Sequence, residues 1–198
     1  IVAVTGSVGK TSARNAIASV LSAKFRVGTT IQNYNNEFGV PLSILGLESP
    51  GRSILGWMKV LMHTPKTFPE VFVLEYGIDR PGDMSHLCKI AKPDISVLTR
   101  ISPVHAEFFR SIEQLAEEKA VLLENTKPGG LSLLNADDPR VIGLQGHATA
   151  PVLTYGFSSS ADVRAEDYVL QTREDFSFEP GELFSTVSGR VISADGDP

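Results

Sequence analysis

Apolar residues along the chain follow two alternating rhythms. Short continuous runs read as buried strands: Ile1-Val2-Ala3-Val4, Val71-Phe72-Val73-Leu74, Ile95-Ser96-Val97-Leu98, Leu131-Ser132-Leu133-Leu134 and Val152-Leu153-Thr154-Tyr155-Gly156. Lys24 to Gly28 is a weaker strand candidate. Between the runs the spacing turns helical. Ala13, Ala16, Ile17, Val20 and Leu21 predict one amphipathic helix; Ile112, Leu115, Ala116, Ala120 and Leu123 predict another. Ser111 and Gln114 stand at the spacing of a capping box ahead of the second helix. Shorter helices are predicted over Val40 to Leu47, Ser53 to Met62 and Met84 to Ala91. The Ser53 to Met62 segment is apolar and holds the only tryptophan, Trp57; as a helix it is expected to have an exposed or partner-facing side.

Strands alternating with helices predict an α/β fold, a doubly wound and mostly parallel sheet flanked by helices. The rhythm changes after Ser158. Val163 to Ile192 holds short β-type runs between Gly and Pro turns, including Phe176-Ser177-Phe178 and Leu183 to Val187. These predict a small antiparallel β extension near the C-terminus.

Composition narrows the function classes. The 198 residues suffice for one domain with a full core, and 42% hydrophobic with 21% charged residues is ordinary for a globular chain. A net charge of −5 argues against general nucleic-acid affinity, which needs a basic surface. Cys88 is the only cysteine, so no internal disulfide can form and a reducing cytoplasm is expected. No apolar run reaches the roughly 18 residues that argue for a membrane span. No feature of the sequence specifies an oligomeric state.

The chemistry starts at Thr5-Gly6-Ser7-Val8-Gly9-Lys10-Thr11. Strand, glycine-containing turn, then Lys-Thr opening a helix is the layout of a phosphate-binding loop, which makes the expected fold P-loop NTPase-like. The glycines let backbone N–H groups turn inward toward an anion, and the helix N-terminus adds partial positive charge. Lys10 can reach β- and γ-phosphates, and the Thr11 hydroxyl can ligate the accompanying Mg²⁺. Val4 stands where the general pattern has its first glycine.

Further candidates follow strand ends, where open α/β sheets bind ligands. Glu75 closes the Val71 run, and His105 lies just past the Ile95 run; together they are candidate metal ligands. Lys119 falls on the apolar stripe of the helix after Ser111, at i+7 from Ile112. A lysine there must snorkel, pair, or serve phosphate or metal chemistry. Asn33, Asn35 and Asn36 suit a loop by their local backbone bonding, or present amides to a ligand. A GTPase reading has Asp79-Arg80-Pro81-Gly82 as its Asp-x-x-Gly support, but Asn125-Thr126-Lys127-Pro128 lacks the aspartate that guanine readout needs.

With these motifs in hand, the chain resembles the Mur ligases at their central ATP-binding domain. That family's short phosphate loop also lacks the first glycine. Asn33 to Pro41, Glu75-Tyr76-Gly77, Pro81-Gly82-Asp83, His105-Ala106-Glu107 and Asn135-Ala136-Asp137-Asp138 are similar to the branch adding D-alanyl-D-alanine to UDP-muramoyl tripeptide. The resemblance implies an ATP-dependent amide ligase of peptidoglycan precursor synthesis, acting through an acyl phosphate. Gly6, Ser7, Val8, Gly9, Lys10 and Thr11 would wrap the phosphates, and Asn135 would contact adenine. Asn35 and Asn36 would lie near the reacting carboxylate. Thr11 and Glu75 would hold one Mg²⁺; Glu75, His105 and a carbamylated Lys119 would hold a second. Lys10, Glu75, His105 and Lys119 would thus form the catalytic set. Ile78-Asp79, Arg100 and the Gly51 to Lys66 insertion depart from the branch's pattern. A related Mur-type or folylpolyglutamate-synthetase-like ligase is the alternative, and a non-catalytic nucleotide-binding scaffold a remoter one. The resemblance covers a central domain only, so residues 1–198 are expected to be a piece without the family's UDP-substrate and C-terminal ligase domains. Alone, that piece is expected not to ligate.

Overall fold

The computed structural model describes residues 1–31, 33–63, 65–103, 108–172 and 185–193. Its strands are β1 (Val2–Thr5), β2 (Val27–Thr29), β3 (Val71–Glu75), β4 (Ile95–Leu98), β5 (Leu131–Asn135), β6 (Val152–Gly156), β7 (Val163–Thr172) and β8 (Ser185–Ser193). Its helices are α1 (Lys10–Ser22), α2 (Gly39–Leu45), α3 (Ile54–Leu61), α4 (Asp83–Ile90), α5 (Ile112–Asn125) and α6 (Pro139–Gly143).

The strands form one sheet in the order β2-β3-β1-β4-β5-β6-β7-β8. Pairing from β2 through β7 is parallel, and β8 returns antiparallel on β7. The expected antiparallel extension is therefore the β7–β8 pair; Phe176-Ser177-Phe178 lies outside the described residues.

The continuous apolar runs are explained by burial on two faces. In β1, Val2 and Val4 join Val73, Val97 and Ala18 in one core, while Ala3 joins Leu74, Leu98, Leu87 and Leu122 in the other. The order also puts β1 between β3 and β4. The chain leaves β1 for the β2 edge, returns at β3, then crosses to β4. This reversal makes the carboxyl end of β1 a topological switch point, where such sheets open a ligand crevice.

Two helices differ from their sequence reading in instructive ways. Ala16 and Val20 were expected in the buried stripe of α1, yet both are exposed, Val20 to 74%, and Arg14 and Ala18 are the residues buried. The start of the helix sets its rotation: Thr11 faces Glu75, and the positions three and seven residues on follow it inward. At α5, Ser111 accepts from Gln114 N as expected, but the Gln114 amide oxygen accepts from Arg110 N at 2.8 Å, so the return bond reaches one residue further out than a capping box. α6 went unread in the sequence. It is set by Asp138, whose side chain caps it through Arg140 N, with Pro139 at the first helical position.

Candidate active site

The turn after β1 is held from two sides. Gly6 has φ +149° and Gly9, the residue before α1, has φ +86°. Ser7 N donates to Arg100 O at 2.6 Å, and Thr99 Oγ1 lies 2.7 Å from Val8 O and 3.2 Å from Thr5 O. Thr99, at the end of β4, thus docks the loop. A Cβ on Gly6 would fall 2.0 Å from Thr99 Oγ1. Gly6→Ala is expected to push the loop off β4, costing about 2–4 kcal/mol of stability by overpacking and backbone strain. Urea unfolding measures this, and a variant matching the parent would show that the contact is not built as described.

Lys10 opens α1 and folds back over the turn, donating to Gly6 O at 3.0 Å and Ser7 O at 3.4 Å. Among the described residues it has no carboxylate partner. An ammonium held by carbonyls at a helix N-terminus is prepared for an anion.

Glu75 ends β3 and is buried. Thr11 Oγ1 donates to its Oε2 at 2.8 Å and Asn35 Nδ2 to its Oε1 at 3.0 Å, while Arg14 Nη1 stands 3.9 Å from Oε2. Its backbone N donates to Thr30 Oγ1 at 2.7 Å, and Arg14 Nη1 donates to Thr30 O at 3.0 Å. Two separate segments, α1 and the Asn35 loop, therefore meet on one carboxylate. Hydroxyl and carboxylate oxygens side by side form the hard donor set that suits Mg²⁺.

Lys119 is 3% exposed, on the inner face of α5, with Nζ 3.1 Å from Gly6 O. It does not snorkel. Burial, and then the nearby Lys10 charge, pull its pKa down from 10.5 to about 7, against a smaller upward pull from Glu118. Lys119, Lys10, Gly6, Ser7, Asn35, Asn36, Gly77, Ile78, Asp79 and Leu115 line one cavity of about 150 Å³.

The remaining candidates divide. Asn36 lines the cavity, but its Oδ1 accepts from Phe38 N and Gly39 N and so also fixes the start of α2. Asn135 stands at the end of β5, its amide donating to Thr99 O and accepting from Asp137 N. It sits in a separate recess with Asp137, Tyr155, Phe157 and Val163. His105 lies outside the described residues. Arg14, Thr30, Thr99 and Asp138, whose Oδ2 accepts from Ile101 N at 2.8 Å, were missed as site-building residues. A polar residue directly after a buried strand was the signal for Thr99.

The GTPase reading loses its support here. Asp79 N and Arg80 N donate to Asp83 Oδ2, making residues 79–82 the turn that leads into α4. Lys127 pairs with Asp94 beside Ile1, at the end of the sheet opposite the phosphate loop.

Comparison with known proteins agrees with this geometry. The family model described as Mur ligase middle domain matches residues 4–193. The UDP-N-acetylmuramoyl-tripeptide–D-alanyl-D-alanine ligase of Bacillus subtilis is 31% identical over 178 residues, covering 90% of this chain and 34% of that protein. The crystal structure of MurF from Thermotoga maritima in complex with ADP matches 98% of this chain and 38% of that one, with TM-score 0.73 and 29% identity. MurF from Acinetobacter baumannii matches 98% of this chain and 36% of that one with TM-score 0.75 at 19% identity, a likeness of fold. The chain spans about a third of the length of the curated relatives it matches. It belongs to the Mur ligase family, as a middle domain.

Proposed function

We propose that this chain is the ATP-handling part of a ligase that joins D-alanyl-D-alanine to UDP-N-acetylmuramoyl-tripeptide in the cytoplasm. The observation that carries the reading is the convergence of the Thr11 hydroxyl and the Asn35 amide on the buried Glu75 carboxylate, with Asn35 also lining the cavity that receives Lys10. The relatives' names support the substrate pair.

A carboxylate is a poor electrophile, so its oxygen must first attack the γ-phosphate of ATP, giving an acyl phosphate and ADP. The amine of the dipeptide then attacks the acyl carbon; phosphate leaves, the amine gives up its proton and an amide remains. In this scheme the backbone N–H groups of Gly6 to Thr11 and the Lys10 ammonium hold the phosphates and offset charge that develops on the transferring group. Asn35, fixed through Glu75, and Asn36 flank the incoming carboxylate. Asn135, with Tyr155 and Phe157, borders the recess for adenine. Thr11 and Glu75 would hold Mg²⁺, with His105 and Lys119 completing a second position. Bound there, Mg²⁺ neutralises triphosphate charge. Near its pKa of about 7 the Lys119 amine is substantially uncharged at neutral pH, the form able to add CO₂ and, with release of a proton to solvent, become an anionic carbamate.

Glu75→Gln is expected to weaken the Mg²⁺ dependence of ATP binding by more than the roughly 10–100-fold that loss of an outer-shell partner costs. Calorimetric titration with and without EDTA reads this, and an unchanged dependence removes Glu75 from the metal. The substrate test is phosphate release from ATP by the protein with its flanking domains, given UDP-muramoyl tripeptide and a panel of amines. Release that requires D-alanyl-D-alanine is expected; release with another amino acid or a folate would move the substrate to a related ligase.

A further inference from the structure

We propose that α3 is an interfacial anchor that lays this protein on anionic lipid surfaces. The inference stands apart from the ligase reading, since no α3 residue borders the phosphate loop.

The segment contradicts its own composition. Ile54-Leu55-Gly56-Trp57-Met58-Lys59-Val60-Leu61 is apolar nearly all round, which ordinarily places a helix in an interior, yet none of its residues is buried. Only Gly56, Trp57 and Val60 turn partly inward. Trp57 is fixed by its Nε1, which donates to Gly51 O at 3.0 Å. Outward, Leu61, Ile54, Met58, Met62 and Leu55 form a stripe spanning about 120° at 3.6 residues per turn. Leu61 is 83% exposed and Leu55 71%.

The charges around the stripe choose its occupant. Arg52, Lys59, His63 and Lys66 are exposed in and around α3, and no carboxylate occurs between Glu48 and Glu70, although the chain as a whole is acidic. Lys59 borders the stripe directly. A second copy packed face to face would set these cations against themselves. A folded partner would need a groove shaped to this convex face, with carboxylates placed around it. An anionic bilayer supplies an apolar boundary and diffuse negative charge together. α3 is about 12 Å long at 1.5 Å per residue, against a hydrocarbon core of about 30 Å, so it would lie in the interface plane and not cross. No helix among the described residues is long and apolar enough to cross a membrane.

The test is co-sedimentation with phosphatidylcholine vesicles made with and without phosphatidylglycerol, on the 198-residue chain and on the protein with its flanking domains. Emission of Trp57, the only tryptophan, gives a second readout. Both proteins are expected to bind the anionic vesicles, to bind neutral ones far less, and to release in high salt. Lys59→Ala should weaken binding about fivefold, one juxtamembrane cation's share. Leu55→Ser with Met58→Ser should abolish it, with circular dichroism and ATP affinity unchanged because both side chains are exposed. Four results each overturn the proposal: no binding; binding indifferent to lipid charge and salt; self-association that the double variant dissolves; or binding that vanishes when flanking domains are present and cover α3.

Discussion

Lys10→Met is expected to lower the affinity for Mg-ATP by about 10–100-fold, the scale of a hydrogen bond between charged groups. The fold should survive. Lys10 is only partly buried, its Nζ bonds are to the Gly6 and Ser7 carbonyls, and methionine matches its unbranched stem. Losing these bonds leaves carbonyls that solvent can reach, so unfolding free energy should move by less than about 1 kcal/mol. Binding should move far more. The loop donors are neutral N–H groups, and Lys10 brings a full positive charge that is bonded to the Gly6 and Ser7 carbonyls and so stays available to phosphate. ATP and ADP should both weaken, ATP more, if the ammonium serves the terminal phosphates as proposed. Calorimetric titration of both nucleotides in Mg²⁺ checks this. Equal and small losses for the two would mean that the lysine closes the turn and does not read phosphate.

What could be read in advance follows from how local each feature is. The turn from Gly6 to Thr11 is contiguous, and its strand, turn and helix each carry their own signal, so its conformation was legible in the sequence. Glu75 and Lys119 were legible as violations of a local pattern: a carboxylate ending an apolar run and an amine on an apolar stripe. Thr99, Thr30 and Arg14 were not, because each acts by reaching a different segment, and nothing near them in sequence records that reach. Arg14 shows the failure most clearly. Counting apolar residues placed Ala16 and Val20 inward, since a small alanine and an exposed valine score as core in any periodic count. The bond from Thr11 to Glu75 fixed the helix rotation instead, and turned a charged residue into the sheet. The antiparallel end of the sheet was legible in kind, through short β runs and turns. The β7–β8 register was not, because it depends on cross-strand pairing and includes an irregularity between Glu166 and Val169.

Lys119→Met is expected to make the chain more stable at pH 6.5 in Mg²⁺-free buffer, and to lose much of that advantage by pH 9. Burial holds the folded pKa of Lys119 near 7, against 10.5 for the free side chain. The unfolded chain therefore binds the proton more tightly than the folded one throughout that interval. Below pH 7 both states are protonated, and the whole penalty of burying the ammonium is present. As pH rises from 7 toward 10.5 the folded chain sheds its proton first, so stability climbs with pH. From pH 6.5 to 9 the parent should gain about 2–3 kcal/mol from this group, at 1.36 kcal/mol per pKa unit. Methionine has no proton to lose and nearly the same shape, so its stability should lack this rise, and the gap should narrow by that amount. Urea unfolding at the two pH values measures it. A gap that stays constant would mean that Lys119 keeps its charge when buried, through a partner that offsets the Lys10 repulsion. Made in the protein with its flanking domains, the same substitution is expected to abolish ligation although it stabilises this chain. An amine kept among Leu115, Ala116 and Ala120 at a cost to folding is what a site needs if that amine is to become a ligand, and a packing residue would have no such cost to carry.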